Sequence, residues 1–312
     1  MNALLKIFGV LLMLSALGLV LSQAPDRPVQ TLVARWAPPP SDFIDVNGQL
    51  VHLRDEGPRN DALPVVLLHG TSASLHTWEG WVAALKGRHR VITLDLPGFG
   101  LTGPNASGDY RADAYARFVL DMLDQLHVQR FTVGGNSLGG EIAWRTALRA
   151  PQRVQKLILV DAAGLPYEPR SVPLGWRLAK VPGLNRLLEG LLPRALVAQG
   201  LADAYGHPER VTPALVDRYF ELTLREGNRH ALVQRLQQAE HGADAARVKT
   251  LKLPTLILWG GRDHLIPVAA AQRFQHDIAG SRLVVFDDLG HVPQEEDPAR
   301  SVAPVIAFLD AR

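Results

Sequence analysis

Phe131-Thr-Val-Gly-Gly-Asn-Ser137-Leu-Gly-Gly-Glu-Ile-Ala-Trp-Arg-Thr-Ala-Leu-Arg149 is the stretch from which the rest of the chain is read. At its centre Gly135-Asn136-Ser137-Leu138-Gly139 has the form G-x-S-x-G. Residues 131–134 read as a strand, and residues 138–149 as a helix that Ala150-Pro151 ends. A strand, a helix and flanking glycines are what a strained turn needs to hold a serine hydroxyl above a sheet edge. A plain glycine-rich turn uses the same residues, so the reading depends on what else the chain supplies.

A serine hydroxyl is a weak nucleophile until a base takes its proton. His291, in Leu289-Gly290-His291-Val292-Pro293, follows the last strand pattern in a Gly-flanked loop and is the candidate base. An imidazole in that role needs an acid to fix its tautomer and stabilise its cation. Asp263, in Gly260-Gly261-Arg262-Asp263-His264, follows a strand in the same way; Asp161, also at a strand end, is the second candidate. Asp287 and Asp288 are too near His291 in sequence to be preferred. The chain order is then Ser137, Asp263, His291.

Around these positions short apolar runs alternate with helical patterns. The runs at 49–54, 64–69, 90–95, 130–134, 156–161, 256–259 and 282–286 read as strands, and those that are apolar at consecutive positions, with helices between them, indicate parallel strands covered on both faces. The fold class is α/β. Strand signals stop between about residues 164 and 250, where prolines divide a helical text, so this stretch reads as a helical cap inserted between two parts of one core. The division is 1–24 as an anchor or signal segment, 25–40 as a juxtamembrane connector, 41–163 and 251–312 as the core, and 164–250 as the cap.

The 312 residues carry 33 Lys+Arg against 31 Asp+Glu, a net charge of +2, and 47% of them are hydrophobic. That is ample material for a large core and gives no footprint for nucleic acid. With no cysteine, disulfides, thiolate nucleophiles and cysteine-ligated metals are excluded. The run Ile-Phe-Gly-Val-Leu-Leu-Met-Leu-Ser-Ala-Leu-Gly-Leu-Val-Leu over residues 7–21 is uncharged. A helix from residue 3 to 21 would span roughly 28 Å, about one hydrocarbon core. It is expected to be a single-pass anchor in an inner membrane with the catalytic body on the periplasmic side. Ser22-Gln23-Ala24 leaves a cleaved signal peptide as the alternative, against which Pro25 counts. Gly9, Ser15, Ala16 and Gly18 would allow two such segments to approach, and so a homodimer.

From about residue 41 to its end the chain resembles the α/β-hydrolase fold superfamily. The likeness rests on four segments: His69-Gly70-Thr71, Asp95-Leu-Pro-Gly-Phe-Gly100, the turn around Ser137, and the loops of Asp263 and His291. It implies a mostly parallel sheet with helices on both faces. It also implies a Ser137–His291–Asp263 triad working through an acyl-enzyme, with the backbone N–H groups of Thr71 and Leu138 as oxyanion hole and Ser72 as a further contributor. No cofactor or metal is implied. With the N-terminal segment and a cap rich in leucine and basic residues, the chain is most similar to membrane-anchored bacterial phospholipases A1. That likeness implies fatty acyl esters of lipids as substrates and membrane lipids as partners. The elbow Gly-Asn-Ser-Leu-Gly-Gly is also similar to that of hydrolases that split carbon–carbon bonds in ring-fission products. A non-catalytic binding protein on the same fold is the third reading.

Overall fold

The computed structural model describes residues 6–10, 13, 18, 22–168, 170–179, 181, 190–240 and 242–311. Eight strands form one sheet: β1 (Ser41–Val46), β2 (Gln49–Glu56), β3 (Val65–Leu68), β4 (Val91–Leu94), β5 (Phe131–Asn136), β6 (Val154–Val160), β7 (Thr255–Gly260) and β8 (Arg282–Phe286). Their order is β1-β2-β4-β3-β5-β6-β7-β8. β1 and β2 pair antiparallel, β2 meets β4 antiparallel, and every later pairing is parallel.

The period of two along each strand sorts the core into two layers. Val65, Leu67, Ile158, Val160, Leu256 and Leu258 face the helices Glu79–Leu85 and Pro298–Asp310, where Trp81, Val82, Val302 and Val305 meet them. Val66, Leu68, Leu157, Leu159, Ile257 and Trp259 face Ala112–Gln125, Leu138–Arg149 and Val268–Asp277. Both faces are covered, and for that reason these strands are apolar at consecutive positions.

The carboxyl ends of the parallel strands all open to one side, where such sheets place their ligands. His69 follows β3, Asp95 follows β4, Ser137 follows β5, Asp161 follows β6, and the Asp263 and His291 loops follow β7 and β8. Between β6 and β7 the described elements are helical: Leu174–Ala179, Arg194–Ala204, Pro213–Thr223 and Asn228–Gln237, with short 3-10 turns.

The N-terminal segment needs a correction. The expected single-pass anchor, and with it the inner-membrane location, is overturned because no helix among the described residues is long and apolar enough to cross a membrane. A span needs about 20 apolar residues. The helical stretch described here covers residues 6–10, and the rest of the apolar run, apart from residues 13 and 18, lies outside the described residues, Ser15 and Ala16 of the homodimer expectation included.

From residue 22 the chain is tied to the helical insertion. Leu192 N–H donates to Ser22 O at 3.1 Å, Ala24 N–H to Gly190 O at 3.2 Å, and Arg27 N–H to Leu224 O at 2.6 Å. The helix Gln30–Trp36 then buries Leu32 against Leu101 and Leu222. Glu221 receives Arg35 Nη1 at 2.6 Å and Trp36 Nε1 at 2.8 Å. Residues 25–40, which read as a connector, are therefore a strap fastened across the insertion.

Asp95 ties the segments that follow β3 and β4 to β2. Its Oδ1 accepts from Leu75 N–H at 2.8 Å, and its Oδ2 from Leu101 N–H at 2.8 Å and His52 Nδ1 at 2.7 Å. Burial opposes its ionisation, but electrostatic attraction to His52 and the hydrogen bond with it hold the carboxyl below the usual range. Asp95→Ala leaves those donors stranded in the core. It is expected to cost about 3–5 kcal/mol in urea unfolding; a loss below about 1 kcal/mol would show that the loops are held by other contacts.

Candidate active site

Ser137 joins β5 to the helix Leu138–Arg149 with φ +54° and ψ −118°, a region that non-glycine residues rarely occupy. Closely apposed backbones hold it there. A Cβ at Gly135 would lie 2.2 Å from the Gly139 carbonyl, and one at Gly139 would lie 2.0 Å from the Leu68 carbonyl oxygen. Only glycine permits strand, turn and helix to close so tightly. Ser137 N–H donates to Val160 O at 3.0 Å, while its own carbonyl accepts from Glu141 N–H at 3.1 Å and Ala163 N–H at 3.0 Å.

His291 and Asp263 meet on the neighbouring loops, with Nδ1 of His291 2.7 Å from Oδ2 of Asp263. Oδ1 of Asp263 accepts from Leu265 N–H at 2.7 Å and Ile266 N–H at 2.9 Å. An ionised carboxylate only accepts, so the network assigns the proton to Nδ1 and leaves Nε2 with its lone pair. Ser137 and His291 both line each of two cavities beside the turn.

Two residues that the sequence reading passed over hold the His291 loop. Asn136 Nδ2 donates to His291 O at 2.8 Å and Val160 O at 3.2 Å, tying that loop to the serine turn. Asn136 stands at an open position of G-x-S-x-G, so the motif itself does not mark it. Glu296 accepts from Gly290 N–H at 2.8 Å, Gly206 N–H at 3.1 Å and His207 N–H at 2.8 Å, and so joins the same loop to the helical insertion.

Thr71 and Leu138 line one of the two cavities together with Ser137. Leu138 opens its helix, where an N–H has no intrahelical acceptor. Thr71 follows Gly70, where a Cβ would stand 3.1 Å from the Ser137 Cβ, and Thr71 lines both cavities. Ser72 lines only the first of them. His69, fully buried, accepts from Leu96 N–H at Nε2 (2.9 Å) and pairs through Nδ1 with Gly70 O (2.7 Å). Burial lowers its pKa despite the pull of Asp95, so it is a neutral strut of the loop.

Asp161, the second candidate acid, is placed differently. Its side chain is fully buried, its Oδ1 accepts from Gly260 N–H at 2.9 Å, and its carboxylate lies within 4.8 Å of the donor atoms of Asp263 and His291. Burial first, then repulsion from Asp263, pushes its pKa well above the carboxylate range. Of two adjoining carboxyls, Asp263 bonds His291, and Asp161 is the one whose protonated form burial favours.

Residues 64–298 match the alpha/beta hydrolase fold family, and the chain belongs to it. It is 32% identical to an uncharacterized protein of Mycobacterium tuberculosis over 301 residues, covering 91% of this chain and 84% of the relative. It is 29% identical to a 2-hydroxymuconate semialdehyde hydrolase of a Pseudomonas species over 273 residues, covering 84% and 91% of the two chains. Among solved structures, a membrane phospholipase A described as a bacterial virulence factor superposes with a TM-score of 0.74 at 25% identity, covering 99% of this chain and 98% of that one. A meta-cleavage product hydrolase from Pseudomonas fluorescens gives 0.75 at 26% identity over 86% and 97%. The protein is thus a hydrolase of this superfamily.

The raised pKa of Asp161 makes stability depend on pH. Because its pKa is higher in the fold than in the unfolded chain, folding favours its protonated form, and its contribution to stability falls as pH rises above the ordinary carboxylate range. Asp161→Asn removes that loss. The melting temperature of the variant relative to wild type is expected to rise between about pH 5 and pH 8, and a difference independent of pH would show that Asp161 is ionised in the fold.

Proposed function

We propose that the chain is a serine hydrolase of carboxylic esters with an aliphatic acyl group, of the lipase or phospholipase A kind. The observation that carries this reading is the pair of cavities that meet at Ser137. One, of about 250 Å³, is walled by Leu191, Leu192, Leu196, Val197, Leu201 and Leu232. The other, of about 430 Å³, is lined in part by Glu141, Tyr167, Ser171 and Arg235. An apolar chamber on one side of a nucleophile and a mixed one on the other suit an acyl chain and the alcohol it is esterified to. Val172 and Leu174, 38% and 53% exposed on the cavity walls, add apolar surface that would favour lipid esters. The superposition with a membrane phospholipase A over nearly the whole chain supports the same reading.

In this mechanism Nε2 of His291 takes the Ser137 proton as the serine oxygen bonds to the ester carbonyl carbon. The developing oxyanion is met by the N–H groups of Thr71 and Leu138. The tetrahedral intermediate collapses, and the alcohol departs with the proton held by His291. A water molecule, deprotonated by His291, then attacks the acyl-serine and releases the fatty acid. Asp263 holds the imidazole in the required tautomer throughout.

A second reading, hydrolysis of a carbon–carbon bond in a ring-fission product, draws on the 29% identity to the semialdehyde hydrolase. The same nucleophile and base would serve it, so substrates must decide. Wild type is expected to release fatty acid from phospholipid vesicles and p-nitrophenyl esters, and Ser137→Ala to lose about 10⁴-fold or more of that rate. Turnover of a 2-hydroxy-6-oxodienoate alone would assign the second reading. Val197→Trp, which fills the apolar chamber, is expected to lower kcat/KM for dodecanoyl esters about tenfold relative to butanoyl esters. An equal loss on both would place the acyl chain elsewhere.

A further inference from the structure

Four arginines are buried among the described residues: Arg54, Arg145, Arg229 and Arg235. Three of them donate hydrogen bonds to acceptors, although Nη1 of Arg229 stays without one. Arg54 donates to Ser41 and Glu79, Arg145 to Glu141, Asp113 and Asp244, and Arg229 to Asp26. Arg235 is 8% exposed and donates no hydrogen bond among the described residues. Its Nε is buried without an acceptor, and the carboxylate oxygen with which it pairs, Oε2 of Glu141, stands 3.9 Å from its Nη2. Glu141 is shared, because its Oε1 accepts from Arg145 Nε at 3.1 Å. A buried guanidinium with its donor fork unused is costly to a fold and calls for a reason.

Arg235 borders two cavities, one of them a small polar one that it shares with Arg111, Arg145 and Glu240. It lines the larger of the two cavities, together with Ser137 and His291. If the apolar chamber takes the acyl chain, this cavity takes the part of the substrate that leaves. Tyr167 lines it too, and burial, reinforced by Asp263 and Glu141, pushes the phenol up to about 12, so it is a donor at neutral pH. A planar guanidinium is suited to two-point binding of phosphate or carboxylate oxygens.

We infer that Arg235 is the recognition point for an anionic group, a phosphate or a carboxylate, on the leaving portion of the substrate. The inference rests on the ester-hydrolase reading for the orientation of the substrate. It makes the preferred substrate an acyl ester of a small anionic alcohol, and a neutral glyceride the poorer one. Arg235 acts here as a specificity-determining residue and takes no part in the bond-breaking step.

Binding tests this apart from turnover. In the full chain carrying Ser137→Ala, the affinities of 1-hexanoylglycerol 3-phosphate, 3-hexanoylglycerate and 1-hexanoylglycerol are compared by calorimetry, with and without Arg235→Gln and Arg235→Lys. Either anionic ligand is expected to bind about tenfold or more tightly than the neutral one. Gln should erase that preference, and Lys, which keeps the charge but not the fork, should retain part of it. The stronger of the two anions identifies phosphate or carboxylate as the natural group. No anionic preference in the Ser137→Ala chain, or one that Arg235→Gln leaves intact, overturns the inference. Hydrolysis is measured separately on the chain with Ser137 present: anion binding through Arg235 without cleavage of any of the three esters would instead overturn the ester-hydrolase reading.

Discussion

The backbone of Ser137, held at φ +54° between a buried strand and a helix, is the constraint on which the rest of the molecule depends. Such a conformation costs of order 1–3 kcal/mol and persists only where the surroundings over-determine it. Here they do so through glycine. Gly135 and Gly139 let the helix start press on the strand and on the carbonyl of Leu68, and Val160 and Ala163 clasp the peptide groups of the serine from β6. The sheet order places β3, β5 and β6 side by side, so the carboxyl ends that deliver Gly70, Ser137 and Asp161 are neighbours by construction. What lies above the sheet is arranged around that fixed point.

Two sets of bonds bring the remaining chemistry to it. Asn136 draws the His291 loop down onto the serine turn, and Glu296 ties the same loop to the helical insertion at Gly206 and His207. Ala204 O accepts the His291 N–H at 2.7 Å, so the backbone of His291 is braced against the insertion that walls the cavities. The strap of residues 22–36 fastens that insertion from outside, through Glu221 and through the bond of Asp26 to Arg229, a residue of the apolar cavity wall. Cavity shape and the position of His291 are thus set by one connected scaffold.

The parallel strands, the serine turn and the loops of Asp263 and His291 were legible in the sequence because each is written locally: consecutive apolar residues, a glycine-framed serine, a titratable residue just past a strand. β1 was not, since Ser41-Asp-Phe-Ile-Asp-Val46 is a half-exposed edge strand; its one local signal is the Asn47-Gly48 turn, both residues at positive φ. The strap escaped for another reason. Its prolines and mixed charges resemble a tether, and only pairing with residues almost 200 positions away makes it structure. The apolar run before it has the length of a membrane span, but no described helix is long and apolar enough to cross a membrane. Arg235 carried no signal at all in sequence, because what sets it apart is the hydrogen bond it does not make.

The central claim is that an acyl group is carried on the Ser137 oxygen. Rapid acid quench of the full chain during turnover of p-nitrophenyl dodecanoate, followed by mass analysis of the peptide containing residues 131–149, tests it most directly. The account predicts a dodecanoyl adduct on Ser137 that forms before steady state and decays when substrate is exhausted. Steady turnover with the acyl group found on another side chain, or with Ser137 unmodified at every time point, would contradict it.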